Sequence, residues 1–451
     1  MNNSRLSDVF YLGSNPRAAG VLNVLDTGTT VFEENTNITP VKVFDEKKYR
    51  GYVPWGDDNM RPYEIIKLIR KDEVMSQNQL FNVQVGYSGG LKFCRKDDTP
   101  IESGPVYDFF KYNRPARYLI QQVSDMKHFM FTISVIILSK DGKSIVQLRH
   151  KEACYCRFET CNPKNGRIEH VFFANWEKSG VRAEDIEVIP LLDVENPIGD
   201  LEERMADGTN SRKFAILNTF PSVGNTYYAF PPYCSIFNSG WYDIKQMIPG
   251  GKKAKFSNGL AIKYKVEVHP KYKEEIMRAE NITDPEKVAE RWKKEQQNIR
   301  DFLHGIENSG KTWITGFYVD TKGQEQSFVR IENINKEKEG GDWIEDTEEA
   351  SNMMCYAQGI HPSIIGATPG KTKGSFSGSD KRELFTMKQS MEKPYHDILL
   401  EPYNIIREFN KKVDKDWDNL KIYIPMLMLT TLDKGKDAVE TVPADTDTNK
   451  E

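Results

Sequence analysis

Gly305-Ile306-Glu307-Asn308-Ser309-Gly310-Lys311-Thr312 satisfies the phosphate-loop pattern GxxxxGK[ST], and its flanks decide how the chain is read. A phosphate loop needs a buried strand before the first glycine and a helix opening at the Lys-Thr pair. Backbone N–H groups and the helix N-terminus then cradle the phosphates. Here the order is inverted. Before the glycine, Thr283-Asp284-Pro285-Glu286 is a helix start: a capping residue, proline in the first turn, and glutamate three after the threonine. Val288, Trp292, Ile299 and Leu303 then form one apolar stripe on a long charged helix over 284–304. After Thr312, Trp313-Ile314-Thr315-Gly316-Phe317-Tyr318-Val319 has the aromatic and β-branched composition of a strand. Gly305, Gly310, Lys311 and Thr312 therefore predict a helix-to-strand turn. The rival, a phosphate-loop NTPase using Lys311 and Thr312, also needs a hydrophobic strand ending in Asp for Mg²⁺ and a βαβ rhythm, and neither is found.

A chain of 451 residues has room for two or three domains and a substantial core. With 38% hydrophobic and 28% charged residues it is a folded, polar-leaning chain and not a disordered one. The formal net charge of -4 gives no global basic field for holding nucleic acid. Met1-Asn2-Asn3-Ser4-Arg5-Leu6-Ser7-Asp8 lacks the apolar core of a signal peptide. The longest apolar-rich run, 129–138, is too short to span a bilayer. The expectation is a soluble protein made and used in the cytoplasm, with no membrane partner.

Six cysteines in so long a chain do not suggest a disulfide scaffold. Cys154, Cys156 and Cys161, flanked by His150 and His170, are a candidate zinc set, but CxC…C…H is not a common structural-zinc spacing. Residues 153–159 read better as a strand with both cysteines on one face, where thiols act as small hydrophobes. No metal and no cofactor is expected.

Residues 1 to about 50 read as an arm or irregular edge, with turns at Thr27-Gly28-Thr29-Thr30 and Asn35-Thr36-Asn37. Helices are predicted from Pro62 to about Arg70, over 77–85, and over 105–125. Gly86-Tyr87-Ser88-Gly89-Gly90 matches the nucleophile elbow GxSxG, which needs a strand before the serine and a helix after it. A strand is expected to follow instead, so a helix-to-strand turn is the better reading. Strands over 129–138, 144–148, 153–158 and 168–173, with hairpin signals at Asp141-Gly142 and Asn165-Gly166, predict an antiparallel sheet with flanking helices. The fold class is α+β.

An irregular stretch ends at Pro231-Pro232. A helix is then expected over 233–247, stopped by Pro249-Gly250-Gly251, and a strand over 260–269. Two or three strands should follow the opening motif, then an exposed loop over 336–342 and a helix over 343–358. A loop rich in Gly, Thr, Ser and Lys covers 366–378. Helices are expected over 380–392 and 395–411, a strand or packed extension over 420–429, and a disordered tail from Asp433.

The order of these pieces resembles the portal proteins of tailed double-stranded DNA phages, in the branch found in prophages of gut bacteria. Lys255-Phe256-Ser257-Asn258-Gly259 resembles the family's F-x-N-G corner. The charged helix followed by Gly305 to Lys311 and a strand resembles its G-x-x-N-x-G-K turn. Ala357-Gln358-Gly359-Ile360-His361-Pro362-Ser363-Ile364-Ile365-Gly366 is similar to its V-x-P-x-x-x-G close. Gly378-Ser379-Asp380-Lys381-Arg382-Glu383-Leu384-Phe385, with Met391-Glu392-Lys393-Pro394 and Leu399-Leu400-Glu401-Pro402, resembles the paired helices ending the core. The match covers about residues 230–430, rests on the order of the motifs, and departs from the family at the Gly250-Gly251 break in the stem helix.

This resemblance implies a portal-like fold: antiparallel wing sheet with flanking helices, long stem helices, small clip and helical crown. The wing would take 51–230 and 305–342, stem and clip 231–304, tunnel helix and channel loop 343–378, crown 379–432, and the tail 433–451. It also implies a ring, usually of twelve copies, at one capsid vertex. Double-stranded DNA would pass through it without sequence readout. Partners would be the terminase large subunit, the major capsid or scaffold protein, and neck or tail adaptors. The chain would not be an enzyme; it would reside in the virion, and in the host cytoplasm during assembly. Lys371, Lys373 and Phe376 on the mobile loop become channel candidates, a solvated Lys pair being the alternative. Another head-to-tail connector component remains open beside the NTPase.

Overall fold

The computed structural model describes residues 49–177, 181–208, 211–224, 227–257, 264–304, 316–319, 323–333, 343–365, 378–429 and 439–442. The chain forms two compact units, the larger from residues up to Tyr242 and from Ser351 onward, the smaller from Asp243–Ala350.

In the larger unit, local signals start the helices. Pro62 sits in the first turn of α1 (Arg61–Lys71), and Asp72 caps α2 (Glu73–Tyr87) by accepting from the backbone N–H groups of Val74 and Met75, both at 2.9 Å. Strand β1 (Lys92–Arg95) follows. The single helix expected over 105–125 is two, α3 (Pro105–Asn113) and α4 (Pro115–Phe129). Pro115 lacks the N–H that would continue the first, and Arg114 adopts a left-handed φ of 49° between them.

Met130, with φ 62°, turns α4 into β2 (Phe131–Leu138), which is buried along nearly its whole length. It pairs antiparallel with β3 (Ile145–Lys151) across the Asp141-Gly142 hairpin, where Gly142 has φ 71°. A second sheet has the order β4 (Cys156–Phe158), β5 (His170–Phe173), β6 (Glu187–Pro190), all antiparallel. Residues 51–53 line the outer edge of β4, with Val53 N–H donating to Phe158 O at 2.9 Å and Thr160 N–H to Gly51 O at 3.0 Å. Helix α5 (Pro197–Ala206) and β7 (Lys213–Thr219) come next, and β7 is the other neighbour of β2. Leu191 bridges Ala215, so the two sheets meet beside β7. These elements lie in what reads from sequence as an irregular stretch. Antiparallel sheets with flanking helices agree with the α+β expectation.

After a 3-10 turn at Pro232–Asn238, α6 (Trp241–Ser257) carries the chain into the smaller unit. The helix expected over 233–247 is thus displaced, because Gly240 at φ 84° separates the turn from the helix. Pro249-Gly250-Gly251 does not stop it. Proline removes one backbone donor, yet the helix runs on to Ser257. The smaller unit contains β8 (Tyr264–Val268), α7 (Pro270–Ala279), α8 (Pro285–His304), β9 (Phe317–Val319), β10 (Glu325–Ser327) and β11 (Val329–Asn333). Arg291 on α8 clasps Glu280 at the end of α7 and Glu295 on its own helix, each at 2.9 Å. Strand β11 pairs with β8, and β9 with β10. The described strands of 305–342, expected as a second part of the wing, therefore pair within the smaller unit.

Helix α9 (Trp343–Ala357) returns to the larger unit, where Gly359 at φ 63° ends it. There follow α10 (Pro362–Ile365), α11 (Gly378–Ser390), α12 (Lys393–Asn410), β12 (Leu420–Tyr423), β13 (Met426–Leu429) and β14 (Val439–Val442). Tyr403, Ile405, Ile406 and Phe409 on α12 share one core with Phe109, Phe110, Ile136 and Phe214. The disordered tail from Asp433 is corrected at 439–442, which pairs with β13.

A second core packs between the two sheets and α1, with Trp55 stacked on Tyr228 at 4.5 Å. Arg157 is fully buried there. It donates to the carbonyls of Cys154, Cys156 and Asn59 and to Asn59 Oδ1, and its guanidinium lies over Trp176 at 5.2 Å.

Candidate functional site

Gly305, Gly310, Lys311 and Thr312 lie outside the described residues, as do Lys371, Lys373 and Phe376. The flanks of the first set are described: α8 runs to His304 and β9 begins at Phe317, helix before and strand after.

Ser88 of the elbow-like motif has φ 50° and ψ −133°, a strained backbone of the kind a nucleophile elbow uses. Its surroundings are structural. Ser88 Oγ lies 2.8 Å from Gln389 Oε1 and 2.7 Å from Pro425 O, both acceptors, so no base withdraws its proton. The His396 imidazole Nε2 is committed to Gly86 O at 2.9 Å. A Cβ on Gly89 would stand 2.6 Å from the Pro425 ring, so the turn clamps the segment after β12 by close approach. The helix-to-strand reading holds here, since α2 precedes the serine and β1 follows it.

The candidate zinc residues are not assembled as ligands. Ala153–Tyr155 is a 3-10 turn and not the start of a strand, and Cys154, Cys156 and Cys161 are all buried free thiols. Burial pushes the Cys154 and Cys161 thiols up to about 12 and Cys156 well above its usual value, away from the thiolate that binds metal. His150 pairs with Asp125 at 3.2 Å and His170 with Glu159 at 2.7 Å.

Glu159, Glu169 and His170 do bring ligand atoms within 4.8 Å of one another. The Arg50 guanidinium meets both carboxylates there, at 3.1 Å from Glu159 and 2.9 Å from Glu169. Burial raises the Glu169 carboxyl, but hydrogen bonds from Asn162, Arg50 and Asn165 outweigh it and hold the group below its usual range. The cluster anchors the chain at residues 49–53 with its own cation.

Two features were not read from sequence. One is a buried amide lock at the end of α9. Gln358 Nε2 donates to Met75 O at 3.1 Å and Gln79 Oε1 at 3.2 Å, and Asn82 Nδ2 donates to Gln358 O at 3.1 Å. The other is a groove of about 490 Å³ between α12 and β12, with Lys96, Lys393, Arg407 and Lys421 against Asp397. Its cations come from distant segments, so no local spacing announces them. Among the described residues no helix is long and apolar enough to cross a membrane.

No protein-family profile and no curated protein matches the chain. Solved structures do. A chain in the neck of the empty gene transfer agent (GTA) particle, computed with C6 symmetry, superposes with a TM-score of 0.50 at 9% identity, covering 84% of this chain and 86% of that one. A chain in the neck of the native GTA particle, computed with C12 symmetry, gives 0.49 at 10% identity over 82% and 84%. A chain in the virion of the native GTA particle gives 0.48 at 9% identity over 80% and 82%. The fold of this chain is therefore similar to that of a chain in the neck of the empty GTA particle, along most of both.

Proposed function

We propose that this chain is a portal protein of a tailed-phage type particle: a ring-forming, non-catalytic conduit at the head-to-tail junction. The observation that carries the reading is the fold likeness to a GTA neck chain, which spans 84% of this chain and 86% of the other. The motif order over about 230–430 supports it independently, since that order came from residues alone. The smaller unit supports self-assembly: among its described residues only Met277, Ile299, Val329 and Ala350 are buried apolar side chains, too few for a free-standing core.

On this reading copies of the chain, twelve in the family it resembles, surround a channel for double-stranded DNA in packaging and ejection. The terminase large subunit docks during packaging, neck and tail adaptors afterwards, and the capsid or scaffold protein holds the rim. The ring acts in the virion after assembly in the host cytoplasm. A net charge of -4 per chain suits a conduit, because strong phosphate neutralisation would trap the duplex. Lys371, Lys373 and Phe376 are the channel candidates, and base readout has no place in packaging any sequence.

Electron microscopy of the purified protein, with and without a scaffold protein, tests this. The expected result is rings with a central channel near twelvefold symmetry. A monomer under both conditions overturns the reading. So does Mg²⁺-dependent nucleotide binding that is lost in Lys311→Ala.

A further inference from the structure

The basic groove is lined by four consecutive residues of β12: Leu420, Lys421, Ile422 and Tyr423. Successive side chains of a strand point to opposite faces. Four in a row lining one groove therefore means that the edge of β12 faces it. The opposite edge is taken by β1, in the register Lys92↔Tyr423 to Arg95↔Leu420. Helix α12 forms the far wall with Lys393, Asp397, Leu400, Asn404 and Arg407.

Strand β13, which follows β12 after two intervening residues, carries β14 as its partner. Their antiparallel register ends at Met426↔Val442, just beyond Tyr423. A continuation in the same register would set position 445 opposite Tyr423 and position 447 opposite Lys421. An extended residue spans about 3.3–3.6 Å, so the segment after Val442 needs only a few residues to run the length of β12. Residues 443–451, Pro-Ala-Asp-Thr-Asp-Thr-Asn-Lys-Glu, carry three acids against one lysine.

We propose that residues 443–451 of this chain continue β14 along the open edge of β12 and dock in the groove, placing Asp445 and Asp447 among Lys96, Lys393, Arg407 and Lys421. The groove's cations have other partners: Asp397 for Lys393 at 2.6 Å, Asp98 for Lys421 at 3.0 Å, Glu408 for Arg407 at 3.4 Å and Asp418 for Lys96 at 4.0 Å. Only Asp397 of these carboxylates lines the groove. Exposed pairs of this kind hold weakly and yield to a segment that adds backbone hydrogen bonds. The inference does not depend on the portal reading.

Engineered cross-linking in the full chain tests it. Directly opposed strand residues have Cα separations that accept a disulfide, and the natural cysteines are buried. Under mild oxidation, Lys421→Cys with Asp447→Cys should form an intramolecular disulfide, read by peptide mass spectrometry. It should form at least about tenfold faster than a control pairing Asp447→Cys with Lys412→Cys, which lies off the groove. The advantage should shrink in 1 M salt, where the screening length falls to about 3 Å. Equal rates for the two pairs, or disulfides found only between copies, would falsify the docking.

Discussion

Arg157 is a buried cation held by carbonyl oxygens, one amide and two indole rings. Burial lowers its pKa, so the fold works against its charge and depends on those acceptors. Arg157→Leu strands several buried oxygens at once and should cost about 3–5 kcal/mol, seen as an earlier unfolding midpoint in urea by tryptophan fluorescence. Arg157→Lys should recover less than half, because an ammonium cannot fork to several carbonyls. A loss below about 1 kcal/mol in the leucine variant would remove the argument. The thiols give a pH counterpart. Cys154, Cys161 and Cys234 rise from 9.0 to about 12 on burial. Their folded values exceed the unfolded ones, so this stability is complete below about pH 9 and drains away as pH climbs toward 12. Each thiol contributes a slope of up to about 1.4 kcal/mol per pH unit. The urea midpoint should hold between pH 7 and 8.5 and fall by pH 10; a flat profile to pH 10 contradicts it.

At the scale of elements, β3 is the outer strand of its sheet, and two asparagines stand in for a missing neighbour. Asn410 on α12 accepts from Ile145 N–H at 2.7 Å and donates to Ile145 O at 2.9 Å. Asn113 on α3 accepts from Leu148 N–H at 2.9 Å and donates to Val146 O at 3.2 Å. An unsealed edge invites pairing with other chains. Asn410→Leu should cost about 2–3 kcal/mol and raise light scattering on heating. Asn410→Asp keeps the acceptor but loses the donor, and should fall between. An unchanged melting temperature and no added scattering in Asn410→Leu would refute the sealing role. The Asn410 contacts join residues 265 apart, and sequence periodicity carries no trace of them. Local devices were legible: the Asp284-Pro285 start of α8, the Asp141-Gly142 and Asn165-Gly166 turns, and the helix over 343–358. Strand β7 and helix α7 were not read, although Pro270 in the first turn of α7 marks a start. The Pro249-Gly250-Gly251 break was over-read, because packing of a long helix overrides one lost hydrogen bond. The groove was invisible for a related reason: Lys96, Lys393, Arg407 and Lys421 meet only after β1, α12 and β12 have packed.

At the scale of the whole molecule, the three buried apolar clusters among the described residues draw every member from the larger unit. The smaller unit leaves Phe317 61%, Val319 55% and Met247 72% exposed, and its described strands form two separate two-stranded ribbons. Such ribbons are marginal in water, and so small a core does not meet the entropy of ordering the chain. A ring of identical copies would supply the missing contacts, since each smaller unit would then lie against others like it. Hydrogen exchange tests this without excising anything. In the assembled ring, amides of α8 and of β8 and β11 should exchange slowly. When the same protein is dissociated to monomer, exchange there should accelerate by tenfold or more, while β2, buried between β3 and β7, keeps its protection. Equal protection of the smaller unit in ring and monomer would mean that it folds by itself. The sparse core would then no longer argue for assembly.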